Sequence, residues 1–153
     1  MGISVFDVAR YFLNKDIPNS ERAITHLKLQ KLAYYAQAWH LALLGDTLFD
    51  ETIEAWVHGP VCPMLYYKYR EYGFNEIPHN EETVYIPEKS RKVIDAVWEV
   101  YGGFDGRYLE HLTHKEEPWK FARGDLDDFD QSNNIIHTDS MLKYYKIKLT
   151  GDK

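Results

Sequence analysis

Thr25-His26-Leu27-Lys28-Leu29-Gln30-Lys31-Leu32-Ala33-Tyr34-Tyr35-Ala36-Gln37-Ala38-Trp39-His40-Leu41-Ala42-Leu43-Leu44-Gly45 is the stretch that decides the fold. Thr25 is a good N-cap and Gly45 a good C-terminal stop, so the run reads as one helix. At about 100° per residue, His26, Gln30, Ala33, Gln37, His40 and Leu44 fall on one stripe. Everything else is apolar or aromatic, except Lys28 and Lys31 near the start. A helix apolar on nearly all sides belongs at the centre of a fold. Its His/Gln stripe must then find hydrogen-bond partners, because each unpaired buried polar group costs roughly 1–3 kcal/mol.

Outward from this helix, Ser4 with Asp7 suggests the start of a first helix, with Val5, Val8, Phe12 and Leu13 on its apolar side. Lys15-Asp16-Ile17-Pro18 ends it. Thr47 to Val57 reads as a short strand pair or extended segment, broken by Gly59-Pro60. Pro63 opens a third helix reaching about Tyr72. Thr83 to Ile86 is a candidate edge strand stopped by Pro87. Ser90 or Pro87 opens a fourth helix with Val93, Ile94, Val97, Trp98 and Tyr101 inside, closed by Gly102-Gly103. Tyr108 to Leu112 forms a short helix. Thr113 with Glu116 then reads as a capping box for Glu117 to Arg123. An acidic loop, Asp125 to Asp130, and a last short helix from Met141 to Tyr145 with a polar tail complete the chain. The expectation is a mainly α, compact single domain over residues 1–153, built around a central buried helix (about 25–44) with a small β element.

Bulk properties agree with an ordinary globular protein: 153 residues, 44% hydrophobic and 27% charged. The net charge of −6 disfavours a nucleic-acid partner and favours a basic one. Cys62 is the only cysteine, which suits a reducing compartment. The N-terminal residues lack a signal-peptide pattern, and no run of about 18 apolar residues is present, so a cytoplasmic protein with no membrane partner is expected. Twelve tyrosines and four tryptophans are the compositional excess, and such rings are favoured at protein interfaces.

Chemistry-bearing residues are few. His111, His114 and Glu117 approach ligand spacing without completing a metal set. Cys62 precedes a helix with His58 four residues away, the weak outline of a thiol nucleophile and base. The acidic loop lacks the glycine and oxygen ligand a calcium loop needs. No cofactor motif appears. The His/Gln stripe reads better as a hydrogen-bonded layer against later helices than as a pocket wall. Tyr66, Tyr69 and Arg70 on the third helix, with Asp125, Asp127 and Asp128, are the candidate partner-binding residues.

Several segments together carry a resemblance. Leu27-Lys28-Leu29-Gln30-Lys31-Leu32-Ala33-Tyr34-Tyr35-Ala36-Gln37-Ala38-Trp39-His40 resembles the first motif of the Panacea antitoxin domain family, also described as GepA-like or SocA-like phage-associated proteins. Phe49-Asp50-Glu51, Ile53-Glu54-Ala55-Trp56, Gly59-Pro60-Val61 and Pro63 resemble its second motif. Leu112-Thr113-His114, Glu116, Pro118-Trp119 and Arg123 resemble its C-terminal motif, and Tyr72-Gly73 and Tyr101-Gly102 fall at its Tyr-Gly positions. The likeness runs in order over about residues 3 to 147, departing at His58 and Cys62.

The resemblance implies a helical antitoxin of bacteria or their phages, encoded beside a toxin that it neutralises by direct binding. It also implies that the motif residues serve as scaffold and that the partner differs between members. A toxin from the same operon is thus the expected partner, homo-oligomers are compatible with the reading, and no catalytic activity is expected. The alternatives are a metal- or thiol-dependent enzyme using the His/Gln stripe or the Cys62/His58 pair, and an autoregulatory DNA-binding protein.

Overall fold

The computed structural model describes residues 2–151. Helix α1 (Val5–Lys15) begins with both arms of a capping box: Asp7 N–H donates to Ser4 Oγ (3.2 Å), and Ser4 N–H donates to Asp7 Oδ2 (2.9 Å). Helix α2 (His26–Leu44) follows, capped by Thr25 Oγ1 and closed by Gly45 at φ 84°, whose N–H reaches Leu41 O. It is buried without a break from Lys28 to Ala42. Both ends and the central position therefore match the sequence reading.

A short antiparallel hairpin comes next, β1 (Glu54–Trp56) against β2 (Gly59–Val61), with Ala55 opposite Pro60. Then follow α3 (Pro63–Tyr69), a 3-10 turn at Arg70–Tyr72, α4 (Glu88–Tyr101), α5 (Gly106–His114), α6 (Glu117–Arg123) and α7 (Thr138–Thr150). Helices α1, α3, α4, α5 and α7 all pack on α2, α7 most extensively. The fold is mainly α with one small β element. Its core is one continuous cluster that includes Phe12, Leu29, Leu32, Phe49, Leu65, Ile94, Trp119 and Tyr145.

Four local expectations are corrected. Gly59-Pro60 does not end the β element but forms its second strand, which tolerates the proline because Ala55 opposite donates outward, to Asn134 O. Thr83 to Ile86 is not a strand: the free side of β1 is taken by Asn134 to Ile136, and Ile86 alone is buried there. Thr113 caps nothing. Asp105 caps α5 by accepting from Tyr108 N–H (2.8 Å), the helix starts earlier than expected, and it runs past Thr113, whose hydroxyl donates to Glu110 O (2.7 Å). The last helix starts at Thr138 and is far longer than Met141 to Tyr145. Its lysines lie on the solvent side while Met141 and Tyr145 are buried against the core.

Candidate partner-binding surface

The polar side chains of α2 hold backbone. Gln30 Oε1 accepts from Cys62 N–H (2.9 Å), and its Nε2 donates to Cys62 O (3.4 Å). Two turns on, Gln37 Oε1 accepts from Leu48 N–H (2.7 Å) and its Nε2 donates to Phe49 O (2.7 Å). Gln30 thus grips Cys62 as a neighbouring strand would, and Gln37 pins two successive residues of the loop after α2. His26 lies 3.1 Å from Gln30 Nε2, and burial, reinforced by Lys31, pushes its imidazole down to about 4. His40 bridges Asp46 O and Ser90 Oγ (2.7 and 2.8 Å). The stripe is a satisfied core layer. Its partners, however, are mostly the chain just after α2 and not the later helices.

Lys28 and Lys31, the two charged exceptions near the helix start, are buried as well. Lys28 Nζ donates to Gly102 O (2.6 Å) and Glu21 O (3.0 Å), and burial with the nearby Arg22 lowers its ammonium to about 8. Lys31 Nζ donates to Pro60 O (3.2 Å). Burial lowers it to about 7, with the Glu110 carboxylate opposing. Gly59, at φ 102°, makes room for this lysine: a Cβ there would lie 2.7 Å from Lys31 Cε and 2.8 Å from Thr113 Oγ1.

Glu116 is the third internal hub. Its Oε1 accepts from Tyr35 Oη (2.6 Å) and Tyr145 Oη (3.0 Å), and its Oε2 from Lys148 Nζ (2.8 Å). Tyr145 and Tyr34 share a hydroxyl contact at 3.1 Å, and Tyr35 stacks on Tyr101 at 4.1 Å, against which Trp39 also lies edge-on. Trp119, preceded by the buried Pro118, donates to Trp56 O (2.8 Å) and is covered by His114 on one side (4.0 Å). The Arg123 guanidinium lies 4.7 Å from the same ring. The motif residues Lys28, Gln30, Lys31, Tyr35, Gln37, Gly59, Thr113, His114, Glu116 and Trp119 thus surround or contact one framework, and Leu29, Pro60 and Val61 are buried within it.

Arg123 links that framework to the outer face. It donates to the carbonyls of Ala55 (Nη1, 3.0 Å), Asp127 (Nη2, 2.8 Å) and Asp130. The guanidinium closes the acidic loop through main-chain oxygens and leaves the carboxylates alone. Asp125, Asp127 and Asp128 are exposed, and among the described residues none has an ion-pair partner. Beside them Phe129 is 90% and Phe121 68% exposed.

Trp56 joins this loop to α3. Its ring meets Tyr66 edge-to-face at 5.0 Å, and Tyr66 meets Tyr67 at 5.9 Å, with the Arg70 guanidinium 5.4 Å from the Tyr67 ring. On its other side, Trp56, Val57 and His58 line a recess of about 770 Å³ with Phe129 and Gln131 to Asn133. A second recess of about 490 Å³, sharing Asn133, lies between Phe121, Ala122 and residues 134–140. The two separate sequence candidates, α3 and the acidic loop, therefore flank one surface. Tyr69 is not part of it. That ring is buried, since Leu65 and Tyr69 sit one turn apart on the inward side of α3. Tyr67 is the exposed ring instead. Phe121 and Phe129 escaped the sequence reading, although a phenylalanine set among four aspartates was a visible signal.

The remaining candidates are dispersed. His58 is exposed and its ring faces Glu110 (3.2 Å), whereas Cys62 is buried and burial pushes its thiol up, away from thiolate. His111 points to solvent while His114 stacks on Trp119. Among the described residues no three His, Cys, Asp or Glu side chains converge as metal ligands, and no helix is long and apolar enough to cross a membrane.

A family model described as Antitoxin SocA-like, Panacea domain, matches residues 29–120, from the first turn of α2 into α6. The chain belongs to that family. No curated protein and no solved structure matches it. The match to the Panacea domain takes in the Gln30, Lys31 and Gln37 interactions, the Tyr35–Glu116 bond, the hairpin and α3. The acidic loop and α7 lie beyond the matched residues.

Proposed function

We propose that this Panacea-domain protein is the antitoxin of a bacterial or phage toxin–antitoxin pair, acting in the cytoplasm and neutralising its toxin by direct binding. The domain itself acts as one folded unit without catalysis. The toxin docks on the surface running from Tyr66, Tyr67 and Arg70 across Trp56 to Phe129 and Phe121. The observation that carries this reading is the pairing of exposed aromatic rings with the uncompensated carboxylates of Asp125, Asp127 and Asp128. Rings supply affinity by desolvation, and carboxylates select a basic partner and speed its encounter. Bound there, the domain covers the toxin's working surface.

The test is co-expression with the product of the adjacent gene. That product alone is expected to arrest growth, and this chain to restore it and co-purify with its target. Phe129→Ala should weaken the complex about tenfold, or ~1.4 kcal/mol. A neighbour that is harmless alone, or a toxin neutralised without any complex, would remove the reading.

A further inference from the structure

Between the acidic loop and α7 runs Asn133-Asn134-Ile135-Ile136-His137. Ala55 N–H donates to Asn134 O (2.8 Å), and Ile136 N–H donates to Ile53 O (2.8 Å), with Ile135 opposite Glu54. In an antiparallel pair bonded this way, the groups of the middle residue point to the other side. The N–H and C=O of Ile135 therefore face away from β1. Among the described residues neither has a partner, and Ile135 is 45% exposed. Asn133 N–H and C=O and His137 N–H likewise have no partner among the described residues.

Proteins blunt such edges with lysine, proline or a bulge. Residues 133–137 carry none of the first two, and the 490 Å³ recess beside Phe121 lies along them. One end of the edge adjoins the unpaired aspartates.

We propose that this edge receives an extended, basic segment of the partner as an added β-strand, its side chains alternating into the Phe121 recess and toward the acidic loop. The inference rests on the antitoxin reading and specifies how the partner is held. Main-chain bonds supply the grip, the recess takes one apolar side chain, and Asp125, Asp127 and Asp128 take flanking lysines or arginines. A second copy of this chain is a poor occupant, because it would set like-charged loops together in a molecule of net charge −6.

The experiment uses the full chain and the adjacent gene's product. Ile135→Pro deletes the outward N–H but leaves the Asn134 and Ile136 bonds to the hairpin intact. It is expected to weaken the complex more than about tenfold, while Ile135→Thr stays within about threefold. In the wild-type complex, amide exchange at Ile135 should slow, a readout that stands even where the proline variant unfolds. Unchanged exchange at Ile135 on binding, or full affinity of a folded Ile135→Pro chain, overturns strand addition. If Phe129→Ala still weakens binding in that case, the antitoxin surface survives without it. A homodimer lost on Ile135→Pro would give the edge to a second copy and overturn the proposal. A complete lack of complex sinks both readings.

Discussion

The framework around α2 and the face around Trp56 are made of the same residue types and use them in opposite ways. Inside, Glu116 meets two phenols and a lysine, and each glutamine amide is bonded at both its oxygen and nitrogen. Outside, Phe129, Phe121, Tyr67 and the loop carboxylates touch solvent. Under the proposed function, the difference separates shape from recognition. Substitutions inside should cost stability whatever the partner, and substitutions outside should cost partner binding and little else.

The sharpest way to break this contrast is Glu116→Ala, which strands two buried phenols and an ammonium. A loss of about 4 kcal/mol is expected in urea denaturation. Gln37→Ala leaves the Leu48 N–H and Phe49 C=O without partners and should cost about 3 kcal/mol by the same measurement. Gly59→Ala forces an alanine to φ 102° against Lys31 and should cost about 2 kcal/mol.

A pH series probes the same interior without mutation. Lys31 and Lys28 hold their protons to only about 7 and about 8, against 10.5 for an ordinary lysine. Between those values and 10.5 the unfolded chain binds more protons, so stability should rise with pH up to about 10. Buried tyrosines, whose ionisation burial opposes, reverse the trend above that, since the unfolded phenols ionise first. Lys31→Met should flatten the rise in thermal melts. At the small end, Phe129→Ala should change stability by less than about 0.5 kcal/mol while reducing toxin binding. Instability there would erase the division between the two regions.

The sequence reveals what is decided locally. Ser4 with Asp7, Thr25 with Gly45, and the all-round apolar surface between them predict α1 and α2 because caps and burial patterns act within a few residues. What it conceals is decided by distant partners. Lys28 and Lys31 stand out in sequence only as exceptions to an apolar helix, since the carbonyls of Gly102 and Pro60 that make their burial tolerable lie far along the chain. Glu116 reads as a capping residue because Tyr35 and Tyr145 are brought to it only by packing. The lysines of α7 disguise a core helix as a polar tail. At the surface, the half-buried Tyr66, with the exposed Arg70 and aspartates, was legible as a set of candidates. Their meeting across Trp56 was not, because it depends on where the hairpin lands.

Gln30, Gln37, Lys28, Lys31 and Arg123 share a habit: each holds main-chain atoms. Such clamps are blind to the identity of the residues they fasten. Hairpin and loop positions can therefore drift in sequence while their course through space is kept. Under the proposed antitoxin role, a lineage with this skeleton would exchange one adversary for another by rewriting its outer rings and charges, with no need to invent a new fold.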